Sequence, residues 1–273
     1  ARRGLLLPHR LGDVLPQVVT AVQYDVRRGN SSVGAHVRDA ACYTFWAFAR
    51  AYSPQILREH LKPLAEAVVL ASLFDREVNC RRAASAAFQE AVGRQGATSF
   101  PNGIAIITAA DFFSLGNRNE AYTSIAMKVA QFEEYRIPIF KHLFEEKLFH
   151  WDVTIRKLTA RALAQLSLYE PSFLGKFAVP FLLEKSLDRS SVIIRHGAVL
   201  GLAELTKAFA DLSVLTTVLS DETRATLVAL VGEIDKRRLY RGRGGEFMRS
   251  ACCRLVECIS LSGLPLTVKD QVQ

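Results

Sequence analysis

The sequence predicts an all-α fold, a solenoid of stacked helix pairs, and three observations predict it. A short unit recurs at a spacing of ~40 residues. Each copy lays small and apolar residues along one stripe of an α-helix. No stretch carries a strand signal. With 273 residues, 49% of them apolar and 23% charged, the chain is long enough for a substantial core and too apolar for disorder.

The mark of the unit is an apolar residue directly before an arginine: Val37-Arg38, Cys80-Arg81, Ile155-Arg156, Ile194-Arg195 and Met248-Arg249. These five arginines are read as structural repeat anchors. The stripe that follows is Val37, Ala40, Ala41, Thr44, Phe45 and Phe48 in the first copy. It is Ile155, Leu158, Thr159, Ala162, Leu163 and Leu166 in a later one, then Ile194, Gly197, Ala198, Gly201, Leu202 and Leu205. The arginines lie 43, 75, 39 and 54 residues apart. The gap of 75 holds a degenerate copy, where Ala121, Tyr122, Ile125, Ala126 and Val129 keep the stripe and Asn119 replaces the arginine.

A further helix is expected before each striped one. Pro16, Pro63, Pro138 and Pro180 mark kinks or first turns in these helices. Ser53-Pro54 reads as N-cap and first helical residue, and Asp152 as the cap of a helix starting near Val153. The linkers 27–34 and 93–103 are rich in Gly, Ser and Asn. Small residues on one face let neighbouring helices approach closely. The pattern is that of a HEAT/armadillo-type α-solenoid, a right-handed superhelix of about six helical pairs. One continuous array is expected over 1–262, in approximate units 5–52, 53–96, 101–133, 135–169, 171–210 and 220–262, with an irregular tail over 263–273.

Composition narrows the function. The five cysteines, Cys42, Cys80, Cys252, Cys253 and Cys258, are odd in number and scattered, which fits a reducing compartment better than a disulfide framework. No apolar run approaches the ~20 residues of a membrane span, and no cleavable signal is visible. The missing initiator Met predicts a piece of a longer chain. The net charge of +8 permits an acidic protein partner or nucleic acid.

Catalytic and metal signatures are weak. Gly242-Arg243-Gly244-Gly245 lacks the order of a phosphate-binding loop and follows a helix, so an interhelical turn is the better reading. Cys252, Cys253 and Cys258 have no CxxC pair or nearby histidine, and Cys252 takes the small core slot that Ala41, Ala84, Thr159 and Ala198 fill elsewhere. His142, Glu146 and His150 can share a helical face, but without a fourth ligand they read as a solvated surface. His196 reads as packed at a seam between repeats. The chain is therefore expected to be non-catalytic, with no cofactor and no metal.

Two segments are candidate partner contacts. One is the cation run Lys236, Arg237, Arg238, Arg241 and Arg243, continuing to Arg249, which reads either as a docking patch for an acidic surface or as a solvated helix end facing the dipole. The other is Gly93-Arg94-Gln95-Gly96, where Arg94 and Gln95 either meet a partner or belong to a plain helix cap. With one aromatic in the cation run, a single-stranded nucleic-acid groove is poorly supported, and no nucleic acid is expected.

Several stretches resemble the tubulin-folding cofactor D family. They are Val37 to Tyr43 with Trp46 to Tyr52, and Asn79 to Glu90 running into Val92-Gly93-Arg94-Gln95-Gly96. Shorter matches are Gly116-Asn117-Arg118, His150-Trp151-Asp152, Arg195-His196-Gly197, and Leu239-Tyr240-Arg241-Gly242 with Gly244-Gly245. The resemblance runs to about residue 262, is weaker over 119–149 and 206–235, and does not extend to Leu264–Gln273. It implies a cytoplasmic tubulin chaperone, with cytoskeletal or centrosomal association. Such a chaperone captures β-tubulin and works with cofactors C and E and an Arf-like small GTPase to assemble and take apart the αβ-tubulin heterodimer. With cofactor C it promotes GTP hydrolysis by tubulin, the nucleotide being the client's. The family offers no catalytic residue to carry over. The competing classes are a generic HEAT-repeat adaptor and a helical-repeat nucleic-acid binder, the latter marked by steep salt dependence.

Overall fold

Helices α1 (Leu11–Val22) and α2 (Ala35–Ala51) open the computed structural model, which describes residues 6–29, 31–96, 99–242 and 244–265. The chain divides into two compact units, Ala1–Pro138 and Ile139–Gln273. In the first unit α1 and α2 are followed by α3 (Pro54–Phe74) and α4 (Val78–Gln95). Helix α5 (Gly103–Ala109) then packs on α4. A helical run follows from α6 (Arg118–Glu120) through a π turn, Ala121–Ile125, into α7 (Ala126–Ala130). Helix α8 (Glu133–Lys141) contains the division point.

In the second unit a π turn, His142–Glu146, and a 3-10 turn, Lys147–Phe149, lead to α9 (Val153–Leu166). Next come α10 (Pro171–Phe173), a π turn Leu174–Ala178, α11 (Val179–Ser186) and α12 (Val192–Asp211). Helices α13 (Leu215–Val218), α14 (Asp221–Lys236) and α15 (Gly245–Leu261) complete the unit. Striped helices stack on one another within each unit, α2 on α4, then α9 on α12 and α12 on α15.

The stripes form the cores. All six expected positions of α9 are buried, and in α12 only Ile194 is half-buried. Helix α2 is turned by about one position relative to the expected stripe. Val37 and Ala40 are exposed, and Arg38, Ala41, Cys42, Phe45, Phe48 and Ala49 face inward. Asp152 caps α9 by accepting from the Thr154 N–H at 2.8 Å. Pro180 cannot donate to the carbonyl of Lys176, which lies in the π turn ahead of it. At Gly197 an added Cβ would sit 1.7 Å from the Leu148 carbonyl oxygen, so the α12 backbone lies directly against the 3-10 turn. One small sheet departs from the strand-free expectation: β1 (Val26–Arg28) pairs antiparallel with β2 (Ser31–Val33), Val26 opposite Val33.

The repeat arginines bind main chain at successive pairs. Arg81 is buried and donates to the carbonyls of Asp75 (2.9 Å) and Arg76 (3.2 Å) just before its own helix. It also reaches Leu115 (2.9 Å) and Gly116 (3.1 Å) before the next. Arg156 does the same behind it, to His150 (2.7 Å) and Trp151 (3.0 Å), and ahead of it to His196 Nδ1 (3.0 Å). Arg195 donates to Asp188 O (2.6 Å) and Leu239 O (3.3 Å). Arg38 donates to Tyr24 O (2.8 Å) and grips Asp75 with two bonds, 2.6 and 3.1 Å. Arg249 differs: it is exposed and lies 3.5 Å from Tyr240 O. In the copy without an arginine, the Tyr122 hydroxyl donates to Phe74 O at 2.8 Å.

Two outcomes follow from this ladder. Asp75→Ala removes the two-bond partner of buried Arg38, leaving it the Tyr24 carbonyl and the Asp25 carboxylate at 3.3 Å, and should cost about 3 kcal/mol in urea unfolding, whereas Arg249→Ala should stay within about 0.5 kcal/mol. His196 is neutral, its Nδ1 accepting from Arg156, and burial, then the charges of Arg156 and Lys157, push its pKa from 6.5 down to about 3. The unfolded imidazole binds a proton that the folded one refuses, so this contribution is complete above pH 6.5 and declines as pH falls toward 3. His196 alone should lower the unfolding free energy by about 1.4 kcal/mol per pH unit in that window. His196→Asn should remove this share, leaving below about pH 5 the slope of carboxylates such as Glu146, Asp111 and Asp188, whose pKa values folding lowers.

Candidate functional site

The C-terminal cations sit where α14 stops and the chain turns into α15. The Leu239 N–H reaches back to Ile234 O at 3.0 Å, with Arg238 in the left-handed conformation at φ 57°, a closing turn usually given to glycine. Arg195 holds the Leu239 carbonyl from below, and the Tyr240 hydroxyl bonds Asp235. Gly245 passes so close to Tyr240 O that a Cβ would lie 2.2 Å from it. A pinned loop therefore displays these side chains.

Lys236 and Arg237 share one carboxylate, Glu233, at 3.6 and 3.3 Å. Arg238 and Arg241 are exposed and have no carboxylate partner among the described residues. Arg243 lies outside the described residues. Among the described residues of this patch, Arg238 and Arg241 are thus exposed cations without a carboxylate partner, and Lys236 with Arg237 leaves one further positive charge over Glu233.

At the C-terminal end of α4 the two candidate residues part. Arg94 is exposed, and its Nε donates to Glu90 Oε1 at 2.8 Å. Gln95 is buried instead, its amide donating to Ala49 O (3.0 Å) and Tyr52 O (3.2 Å). That amide satisfies carbonyls at the end of α2, which need an outside donor. Gln95 therefore holds two helices together and offers nothing to a partner.

Around Arg94 the structure assembles residues that the sequence reading did not single out as a site. Arg50 lies 3.4 Å from the same Glu90 oxygen, and its guanidinium sits 4.6 Å from the centre of the Trp46 ring. Tyr43, exposed, stacks on Trp46 with ring centres 5.4 Å apart. Two guanidinium groups on one carboxylate leave a net positive charge beside an aromatic pair. Of these, Trp46, Glu90 and Arg94 line a groove of about 830 Å³ whose walls also include Gln89 and Ile104. The available signal was periodicity: Tyr43, Trp46 and Arg50 recur at helical spacing on the side of α2 away from Phe45 and Phe48.

The remaining chemistry is quiet. Cys252 and Cys258 are buried and Cys253 is exposed. Burial pushes the Cys252 thiol up to about 12 and Cys258 up to about 11, so both stay protonated near neutral pH. His142 Nδ1 lies 3.0 Å from Glu146 Oε2. Among the described residues no group of three or more His, Cys, Asp or Glu is placed to hold a metal ion, and no helix is long and apolar enough to cross a membrane.

Comparison with known proteins gives this arrangement a context. A family model described as "Tubulin-specific chaperone D-like, ARM repeats" matches residues 1–104. Tubulin-specific chaperone D of Dictyostelium discoideum is 38% identical over 263 residues, covering 96% of this chain and 18% of that protein. Tubulin-folding cofactor D of Schizosaccharomyces pombe is 34% identical over 213 residues, covering 78% of this chain and 19% of that protein. The chain thus spans under a fifth of the length of these relatives. No solved structure matches it. An α-solenoid of helix pairs, alike in sequence to these relatives over most of its length, belongs to the tubulin-specific chaperone D family and corresponds to a segment of its longer members.

Proposed function

We propose that this chain is a non-catalytic part of a tubulin-folding chaperone, a scaffold that holds tubulin, through β-tubulin, while the αβ heterodimer is assembled or taken apart. The observation that carries the reading is the 38% identity with a protein named tubulin-specific chaperone D, sustained over 96% of the chain. The site chemistry supports it. Tubulin is acidic, and the chain displays cations at Arg238 and Arg241 on a pinned loop and at Arg50 and Arg94 on helices α2 and α4. Such charges speed encounter with an acidic client and disfavour basic ones.

The mechanism is differential binding. A scaffold that prefers one tubulin conformation, or a separated subunit, shifts the heterodimer equilibrium by the ratio of its affinities for the two states. Cofactors C and E and an Arf-like small GTPase are the proposed co-workers, in the cytoplasm. Promotion of GTP hydrolysis by tubulin, together with cofactor C, would act on the client's own nucleotide site.

Titration of the chain against purified αβ-tubulin at low and physiological salt, with RNA in parallel, tests the reading. Saturable tubulin binding that persists at physiological salt, with weaker and more salt-sensitive RNA binding, is the expected result. Absence of tubulin binding would remove this segment from client capture. Reversal of Arg238 and Arg241 to glutamate should weaken tubulin binding at least tenfold while the helical circular-dichroism signal is kept. Unchanged affinity would retire that loop as a contact.

A further inference from the structure

Two adjacent phenylalanines stand in solvent on the loop between α5 and α6. Phe112 is 51% exposed and Phe113 84%, their rings edge to face at 5.5 Å. Exposed apolar side chains scattered singly are ordinary, but this pair is displayed on a fixed frame. Asp111 accepts from the N–H groups of Phe113 (2.7 Å) and Ser114 (3.1 Å). Ser85 of α4 donates to Ala110 O at 2.7 Å, and Arg81 holds the Leu115 and Gly116 carbonyls. Arg82 donates to Phe112 O at 3.0 Å while its guanidinium covers the Phe112 ring at 4.3 Å. The loop backbone and the Phe112 ring are therefore held in place before any partner arrives, which lowers the ordering cost of binding.

The surroundings indicate the chemistry of the partner. Arg82 and Arg118 flank the loop, and neither pairs with a carboxylate among the described residues. Asp111 is occupied by its own backbone turn. Along α4 the surface continues from Arg82 through Ala86 and Gln89 to Gly93, spacings that share one helical face. Ala86, Gln89 and Gly93 line the Trp46–Arg94 groove. The strip from Arg82 to Arg94 is about 18 Å long at about 1.5 Å per residue. It carries two aromatic anchors at one end, cations at both ends and a concave wall between them.

We infer that the outward face of α4, with the Phe112–Phe113 loop, is a docking surface for an acidic protein partner, whose apolar pocket takes the two rings and whose carboxylates meet Arg82, Arg118 and Arg94. The inference rests on the reading above in taking tubulin as that partner. A second copy of this chain is disfavoured as occupant because each copy carries a charge of +8. A flat lipid surface is disfavoured because it would leave the 830 Å³ groove empty. Phenylalanine and arginine are both enriched in protein interfaces relative to the rest of the surface.

The test uses the full chain and its affinity for αβ-tubulin at physiological salt, comparing wild type with Phe112→Ser/Phe113→Ser and, separately, Arg118→Glu. The expected result is at least a tenfold loss for the double variant and at least a threefold loss for Arg118→Glu, with circular dichroism and urea midpoint unchanged. If the double variant misfolds, Arg118→Glu decides alone. Wild-type binding that neither variant weakens overturns this inference and leaves the tubulin reading intact. Failure of wild type itself to bind tubulin overturns both. In a parallel arm with phosphatidylserine-containing vesicles, wild-type binding that the double variant loses, with tubulin affinity unchanged, overturns the inference in favour of a membrane contact.

Discussion

A guanidinium carries five N–H donors in one rigid plane, and a turn between helices carries carbonyls that no helix has satisfied. The two needs meet at Arg81, where four carbonyls from the α3–α4 and α5–α6 turns converge on one buried side chain. Lysine could not do this, because a point charge on a flexible stem has no fixed fork. Arg38, Arg81 and Arg195 each tie the turn before their own helix to the turn before the next striped one, and Arg156 ties its turn to His196 within α12, so the spacing of the pairs is set by side-chain reach as well as by core volume. Where the partner is a side chain, it is one that can stay an acceptor: the Asp75 carboxylate for Arg38, and the neutral His196 ring for Arg156.

This constraint explains how much could be read from the sequence. An arginine beside a small-residue stripe recurs visibly, so helix pairs, stripe and fold class were legible, and even the degenerate copy kept Ala121, Tyr122 and Ile125 in the core. The β1–β2 hairpin was overlooked although Gly29-Asn30 is a turn dipeptide, because strands of three residues leave almost no periodic trace. The turn of α2 that exposes Val37 was not legible, since a single stripe tolerates rotation by one position. Gln95 shows the complementary error: a polar residue beside a glycine looks like surface until its amide is found closing the end of α2. Arg249 shares the sequence mark of the repeat but lies exposed, a difference of position that composition does not record.

The displayed surfaces depend on the same scaffold. Arg195 secures the loop that carries Arg238 and Arg241, and Arg81 secures the loop that carries Phe112 and Phe113. An anchor inside the stack thus fixes the geometry of what is shown outside it, which is how a solenoid segment can be specific through its surface. Sequence periodicity finds the anchors readily. It finds the displayed residues poorly, because they occupy turns and outward faces where no packing rule acts.

Arg238 shows what that division means for anyone redesigning the molecule. Its backbone adopts a conformation that glycine would take without strain, at an expense of about 1 kcal/mol for an ordinary residue. A stability-guided optimisation would exchange it for glycine at once and would report a success. The same change would erase one of the loop's exposed cations that have no carboxylate partner among the described residues. On the function proposed above, a thermostabilised version of this chain would be sturdier and deaf to an acidic partner, and the strained position would be the first place to look for the reason.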